Sequence, residues 1–381
     1  MALSRSTFVV LASVTVLSTA DAQQMERLQR PIDTFPEPFS GITGIRELSD
    51  GRVLVADRLE QAVRLLDFAA GTMQELGRSG SGPGEYQMPS GLLALPADAT
   101  LLVDLGNMRL SVITPDGRFT ESRNMFIGER LLLPTGSDRS GHLYFNQGGV
   151  RFENGQVQRD PSVPVVRFDL TSEAMDTVAH VPVAQGRAQA ISMSSGSGSI
   201  TIQGGLAPYP MSASWAVSPD GRVAVVHADP YRVDWVSPDG TTVSGPVVAY
   251  DPVRVTHADK EAWADRRGGG GGVMMMIGGS GGGGGRALRM PRPDPDDQDW
   301  PEFKPPFPRG AVSATPEGTI WVQRHVPFGE QPAYDVFDEH GVRVRQVILP
   351  AGRRLVGFGP GKVYLINVDE DDLQWLEAYQ R

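Results

Sequence analysis

The stretch "SDGRVLVAD" (residues 49–57) joins a glycine turn to an apolar run in which Val53 and Val55, the second and fourth residues after Gly51, share one side of an extended chain. Period two marks a strand with one buried face. The pattern returns as "RSGHLYFNQ" (139–147), "SPDGRVAVVH" (218–227), "TPEGTIWVQR" (315–324) and "GPGKVYLIN" (359–367), with a looser copy, "PADATLLVD" (96–104), that places Asp98-Ala99 in the turn. A further turn with its own apolar flank follows most copies, as in "LSVITPDGRF" (110–119) and "VDWVSPDGTTV" (233–243). Asp-Gly suits such reversals because glycine accepts the positive φ of a tight turn without steric penalty.

Hairpins repeated in this way predict an all-β chain built as a six-bladed β-propeller, each blade a meander of three or four strands. The sixth copy ends one strand short of a full blade, and an open strand edge needs a partner. The segment "MERLQRPIDTF" (25–35) is expected to supply that outer strand and close the ring. "SGSGSITIQGG" (195–205), read as an irregular extra strand pair, supports the alternative of seven blades.

One block carries more than generic patterning. In "GRSGSGPGEYQMPSGLLALPADATLLVDLGNMRLSVITPDGRF" (77–119), Gly80, Gly82-Pro83-Gly84, Tyr86, Pro89 and Gly91 precede Asp104, Asn107, Arg109 and the turn Asp116-Gly117. This block resembles a unit of the NHL-repeat propeller family. The other copies keep the turns and strands but little of the motif. The resemblance implies a six-bladed, NHL-like propeller of the bacterial secreted or periplasmic branch.

Composition narrows the function classes. The 381 residues include 45 Gly and 30 Pro, which favours turns over long helices, and the formal charge of −10 disfavours nucleic acid and anionic membranes as partners. The only lysines are Lys260, Lys304 and Lys362, which leaves little room for Schiff-base chemistry. "MALSRSTFVVLASVTVLSTADAQQ" reads as a signal peptide over 1–22, with cleavage near Ala22-Gln23 and no transmembrane segment in the mature chain. With no cysteine, disulfides and cysteine lipidation are excluded.

Turns Gly221 and Gly318 stand 97 residues apart, about twice the spacing of Gly51 and Asp98, so an insertion is expected near 254–309 within the single propeller domain 23–381. It opens with "THADKEAWADRR" (256–267), where Thr256 and Asp259 fit a helix N-cap and its third helical position. It closes with a proline-rich segment whose Trp300, Phe303 and Phe307 are expected to pack against the propeller. The intervening "GGGGGVMMMIGGSGGGGG" (268–285) lacks the Lys-Ser/Thr pair of a phosphate loop and the strand-to-helix setting that would make Ser280 a nucleophile.

The sixth position after each turn gives Asp57, Asp104, Gln147, His227, Arg324 and Asn367, six polar residues expected either to cap loops or to form a ligand-binding ring at the channel mouth. Asp57, Asp104 and Asn367 are the candidates for a metal, with calcium the ion their oxygens would take. No other cofactor is expected. His227 with Asp229, and Arg324 with His325, are the candidates for proton transfer or anion contact. The reading that results is a secreted or periplasmic binding module for a protein, peptide, glycan or small ligand on its loop face. The alternatives are a hydrolase or lyase, lactonase-like or amidating-lyase-like, with a divalent cation in the channel, and a structural component of an envelope assembly.

Overall fold

The computed structural model describes residues 24–381 except 129, 148–149, 154–155, 184–191, 194–199, 202–207 and 269–291. The leader 1–22 and most of the glycine tract therefore lie outside the described residues. Within them, five four-stranded sheets and one five-stranded sheet form the blades of a six-bladed β-propeller, all antiparallel but for one added strand. Their inner strands are Ile42–Glu47, Pro89–Ala94, Gly136–Ser137, Ser214–Val217, Val312–Ala314 and Arg353–Gly359, in blades 1 to 6. The seventh blade is not present among these residues: near 195–205 the described backbone pairs only Ser192–Met193 with Ile200–Thr201.

The repeated turn builds each blade in the same way. Gly51 adopts φ +87°, its N–H donates to Leu48 O, and Asp50 Oδ1 accepts from Arg52 N at 3.0 Å. The glycine-free copy reaches positive φ at Ala97 and Asp98, and the Asp98 carboxylate there accepts from Arg46 Nη2, Ser49 N and Ser49 Oγ of blade 1. Cross-blade contacts offset that local strain.

Apolar side chains fill the seams between blades. Leu54, Leu65 and Leu102 belong to one seam, and Val226, Trp235 and Ile320 to another. Tyrosines add polar bolts to two of them. Tyr231 donates to Asp335 Oδ2 at 2.8 Å from blade 4 to blade 5, and Tyr364 donates to Glu47 Oε2 at 2.7 Å from blade 6 to blade 1.

The closing strand divides its work between two blades. Gln24–Arg27 runs parallel to Arg343–Ile348 as a fifth strand of blade 5, and Asp33–Thr34 then pairs with the last strand, Gln374–Gln380, in blade 6. Both blades had an open outer edge, and one extended segment covers both. Phe35 and Phe39 anchor it; both are fully buried, and their N–H groups donate to Leu376 O and Gln374 O.

The insertion contains the helix His257–Gly268. Thr256 and Asp259 cap it reciprocally: the Asp259 carboxylate accepts from Thr256 N at 3.0 Å, and Asp259 N donates to Thr256 Oγ1. Trp263 packs edge-on to Trp300, with ring centroids 5.2 Å apart.

Candidate functional site

The inner strands enclose a central cavity of about 1170 Å³, to which all six blades contribute. Small residues let the strands approach one another. At Gly136, for example, a Cβ would stand 2.4 Å from Val217 Cγ1. Ile45, Leu92, Val181 and Leu355 make part of the wall apolar, and Trp215 adds an aromatic surface from blade 4. The indole is pinned at one edge, its Nε1 donating to Asn146 Oδ1 of blade 3 at 2.6 Å.

The charged groups of the wall fall into two sets. Arg46 is paired with Asp98 at 2.8 Å, and Glu47 is paired with Lys362 at 2.8 Å and accepts from the Tyr364 hydroxyl. Arg139 and Arg309 also line the cavity, yet neither forms an ion pair among the described residues; Arg139 makes one side-chain hydrogen bond, to Pro316 O at 3.0 Å, and Arg309 makes none. Ser212, Ser313 and Gln323 likewise line it with side chains that have no partner among the described residues.

Arg309 owes its place to the proline-rich end of the insertion. Phe307 is buried in the seam of blades 4 and 5 against Tyr231, and Gly310 N donates to Ser214 Oγ on the inner strand of blade 4. Upstream, buried Lys304 pairs with Asp259 Oδ1 at 2.7 Å and donates to Val326 O. Burial would raise the Asp259 carboxyl, but hydrogen bonds from Lys304 and Thr256 prevail and hold it below its usual range. His325 also fastens this segment, with Nδ1 donating to Pro305 O at 2.8 Å, and burial pushes its imidazole down to about 4. Helix, proline-rich segment and blade 5 thus form one packed unit beside the cavity mouth.

None of the six strand-end candidates is part of the cavity wall. The Asp57 carboxylate accepts from the N–H groups of Ser40, Gly41, Leu59 and Glu60. The Asp104 carboxylate does the same for Gln87, Met88, Gly106 and Asn107. These are the loop caps that were one of the two expectations. The adjoining motif residues clasp the Gly-Pro-Gly loop: Asn107 Nδ2 donates to Gly80 O, and Arg109 donates to Ser81 O and Gly82 O.

His227 pairs with Asp234 on the next strand at 2.8 Å rather than with Asp229, and burial outweighs that carboxylate to lower its pKa. Arg324 lies 3.7 Å from the buried Asp335, whereas His325 turns towards Pro305 and Tyr209, so the two do not act as a pair. Gln147 and Asn367 sit at strand ends. The cavity instead receives the residues one step earlier in two copies, Asn146 and Gln323. Asp57 and Asp104 aim their oxygens at N–H donors that a calcium ion would have to displace. No three His, Asp or Glu side chains among the described residues gather as a metal site requires.

Six sheets, a two-blade clasp and a channel walled by inner strands define the class: the chain is a six-bladed β-propeller. Among solved structures it is similar to a Bacteroides fragilis protein described as exported, at 12% identity over 94% of this chain and 98% of that one, with a TM-score of 0.48. It is also similar to a gluconolactonase from Xanthomonas campestris (11% identity, 93% and 94% covered, TM-score 0.46) and to virginiamycin B lyase from Staphylococcus aureus (11%, 91% and 83%, 0.40). No protein-family model and no curated protein matches the chain. The chemistry of the site therefore rests on this chain's own residues.

Proposed function

We propose that this propeller is a binding module, secreted or periplasmic, that takes a small polar ligand into its central cavity from the loop face. The observation that carries this reading is the wall itself: Ser212, Arg309, Ser313 and Gln323, from blades 4 and 5, line a shared space with side chains that have no partner among the described residues. Arg309 is exposed and the other three are half-buried, and polar side chains with hydrogen-bonding capacity left over around a cavity are the groups with which a ligand is recognised. The leader reading of residues 1–22 supports export. Among the described residues, no helix is long and apolar enough to cross a membrane.

The test is a thermal-shift screen of small polar compounds against the native protein and a Ser313→Trp variant whose indole fills part of the cavity. A ligand bound only by the folded state raises the melting temperature. The reading expects compounds that shift the native protein and leave the filled variant unmoved. Equal shifts in both proteins would place binding elsewhere.

A further inference from the structure

We propose that the ligand of the central cavity is an acidic oligosaccharide, a chain of sugar rings bearing carboxylates, held by Arg309 and Arg139 and stacked against Trp215; this rests on the binding reading above. The charge argument comes first. The chain carries a formal charge of −10, yet the two charged side chains of the cavity wall that lack a counter-ion among the described residues are both arginines. The wall's one carboxylate, Glu47, is already matched by Lys362. A guanidinium presents a planar fork of donors that fits a carboxylate with two parallel hydrogen bonds, so the arginines select for anions of that shape.

The second argument concerns the rest of the wall. Since the Trp215 N–H is committed to Asn146, the indole has only its hydrocarbon surface to offer a ligand. A sugar ring has an apolar face that such a surface covers and hydroxyls at its rim, for which Ser212, Ser313 and Gln323 are free partners. A cavity of about 1170 Å³ exceeds the need of one ring and suits a short chain. An acidic peptide is less well served. Its backbone would seek a strand to pair with, and the inner strands that carry Trp215 and follow Arg309, Ser214–Val217 and Val312–Ala314, offer it only four and three residues, the longer Ile42–Glu47 and Arg353–Gly359 belonging to blades 1 and 6.

Calorimetric titration at about 20 mM salt, where screening is weak, tests the inference with three probes: tetragalacturonate, the neutral galactotetraose and a tetra-aspartate peptide. The acidic sugar is expected to bind about a hundredfold more tightly than the neutral one, with the gap shrinking by about tenfold in Arg309→Gln and by about tenfold again when Arg139→Gln is added. Lys260→Gln, outside the cavity, is expected to leave it unchanged, and melting curves of each variant check that the fold is intact. Equal binding of the two sugars, a gap that survives the double arginine variant, preference for the peptide, or no binding of the acidic sugar would each overturn the inference. The outcome also separates this inference from its foundation. Neutral compounds that distinguish native from Ser313→Trp protein leave the binding reading in place, whereas failure of every compound to distinguish them removes both.

Discussion

Asp104 and Arg309 are both charged residues next to a strand of the same propeller, yet their surroundings are opposite. Asp104 is fully buried, and its oxygens accept from four backbone N–H groups and from Asn107 Nδ2. Arg309 reaches the cavity from the end of a rigidly packed segment and has no partner among the described residues. The first arrangement consumes a charge to hold a loop; the second holds a charge in reserve. The difference teaches that the carboxylates at the second-strand ends of blades 1 and 2 are committed to backbone N–H groups, whereas part of the inner wall keeps side chains without partners among the described residues.

The sharpest way to break that contrast is to remove each charge. Asp104→Ala strands buried N–H donors and is expected to lower the free energy of unfolding by about 3–5 kcal/mol in urea titrations. Arg309→Ala is expected to stay within about 0.5 kcal/mol of the native protein, as surface changes without partners do. A tolerated Asp104→Ala would show that the strand-end cluster is not a structural cap.

Next in size is the buried pair that positions the mouth. Lys304→Met leaves Asp259 without its cation and is expected to destabilise the protein by about 3 kcal/mol at neutral pH. Because the folded-state pKa of Asp259 is depressed, its contribution is present above the ordinary carboxylate value of 3.8 and is lost as pH falls through the lower folded value. The acid-side loss of stability should therefore be shallower in Lys304→Met than in the native protein, as thermal melts between pH 5 and pH 2 would reveal.

His325 gives a smaller effect in a different window. Between its ordinary value of 6.5 and its folded value of about 4, the unfolded chain binds a proton that the folded chain does not, so stability declines as pH falls through that range. The decline attributable to this group is roughly 2–4 kcal/mol, and His325→Asn, which keeps a donor near Pro305 O, should flatten it. A native profile already flat between pH 6.5 and pH 4 would contradict the burial of this imidazole. A smaller loss of stability, about 1 kcal/mol, is expected at Trp215→Phe from loss of the indole hydrogen bond to Asn146.

Much of the scaffold was legible in the sequence. Glycine turns followed by alternating apolar residues gave the blades, because both features act locally. The capping pair Thr256 and Asp259 was equally readable. The clasp was readable only in outline: the segment 25–35 was expected to serve the last blade alone, but its first residues cover blade 5, where Leu28 is buried and Glu26 meets Arg345 at 3.1 Å.

The site was less legible for two physical reasons. Inner strands of two or three residues are too short to show a period, so Ser313 and the flank of Gly136 carried no signal. The strand-end residues, by contrast, were conspicuous for a local reason. Asp57 Oδ1 accepts from Leu59 N and Glu60 N, the side-chain turn that aspartate forms two and three residues ahead, a local reason for a polar residue at that position. Arg309 could have been noticed as a cation just ahead of the inner strand Val312–Ala314, at the end of a proline-rich approach.

The most direct test of the central claim is a crystal structure of the protein with a compound that stabilises it. The account predicts density inside the channel, between Trp215 and Arg309. Density at the strand ends around Asp57, His227 and Asn367, with the channel holding only solvent, would contradict it.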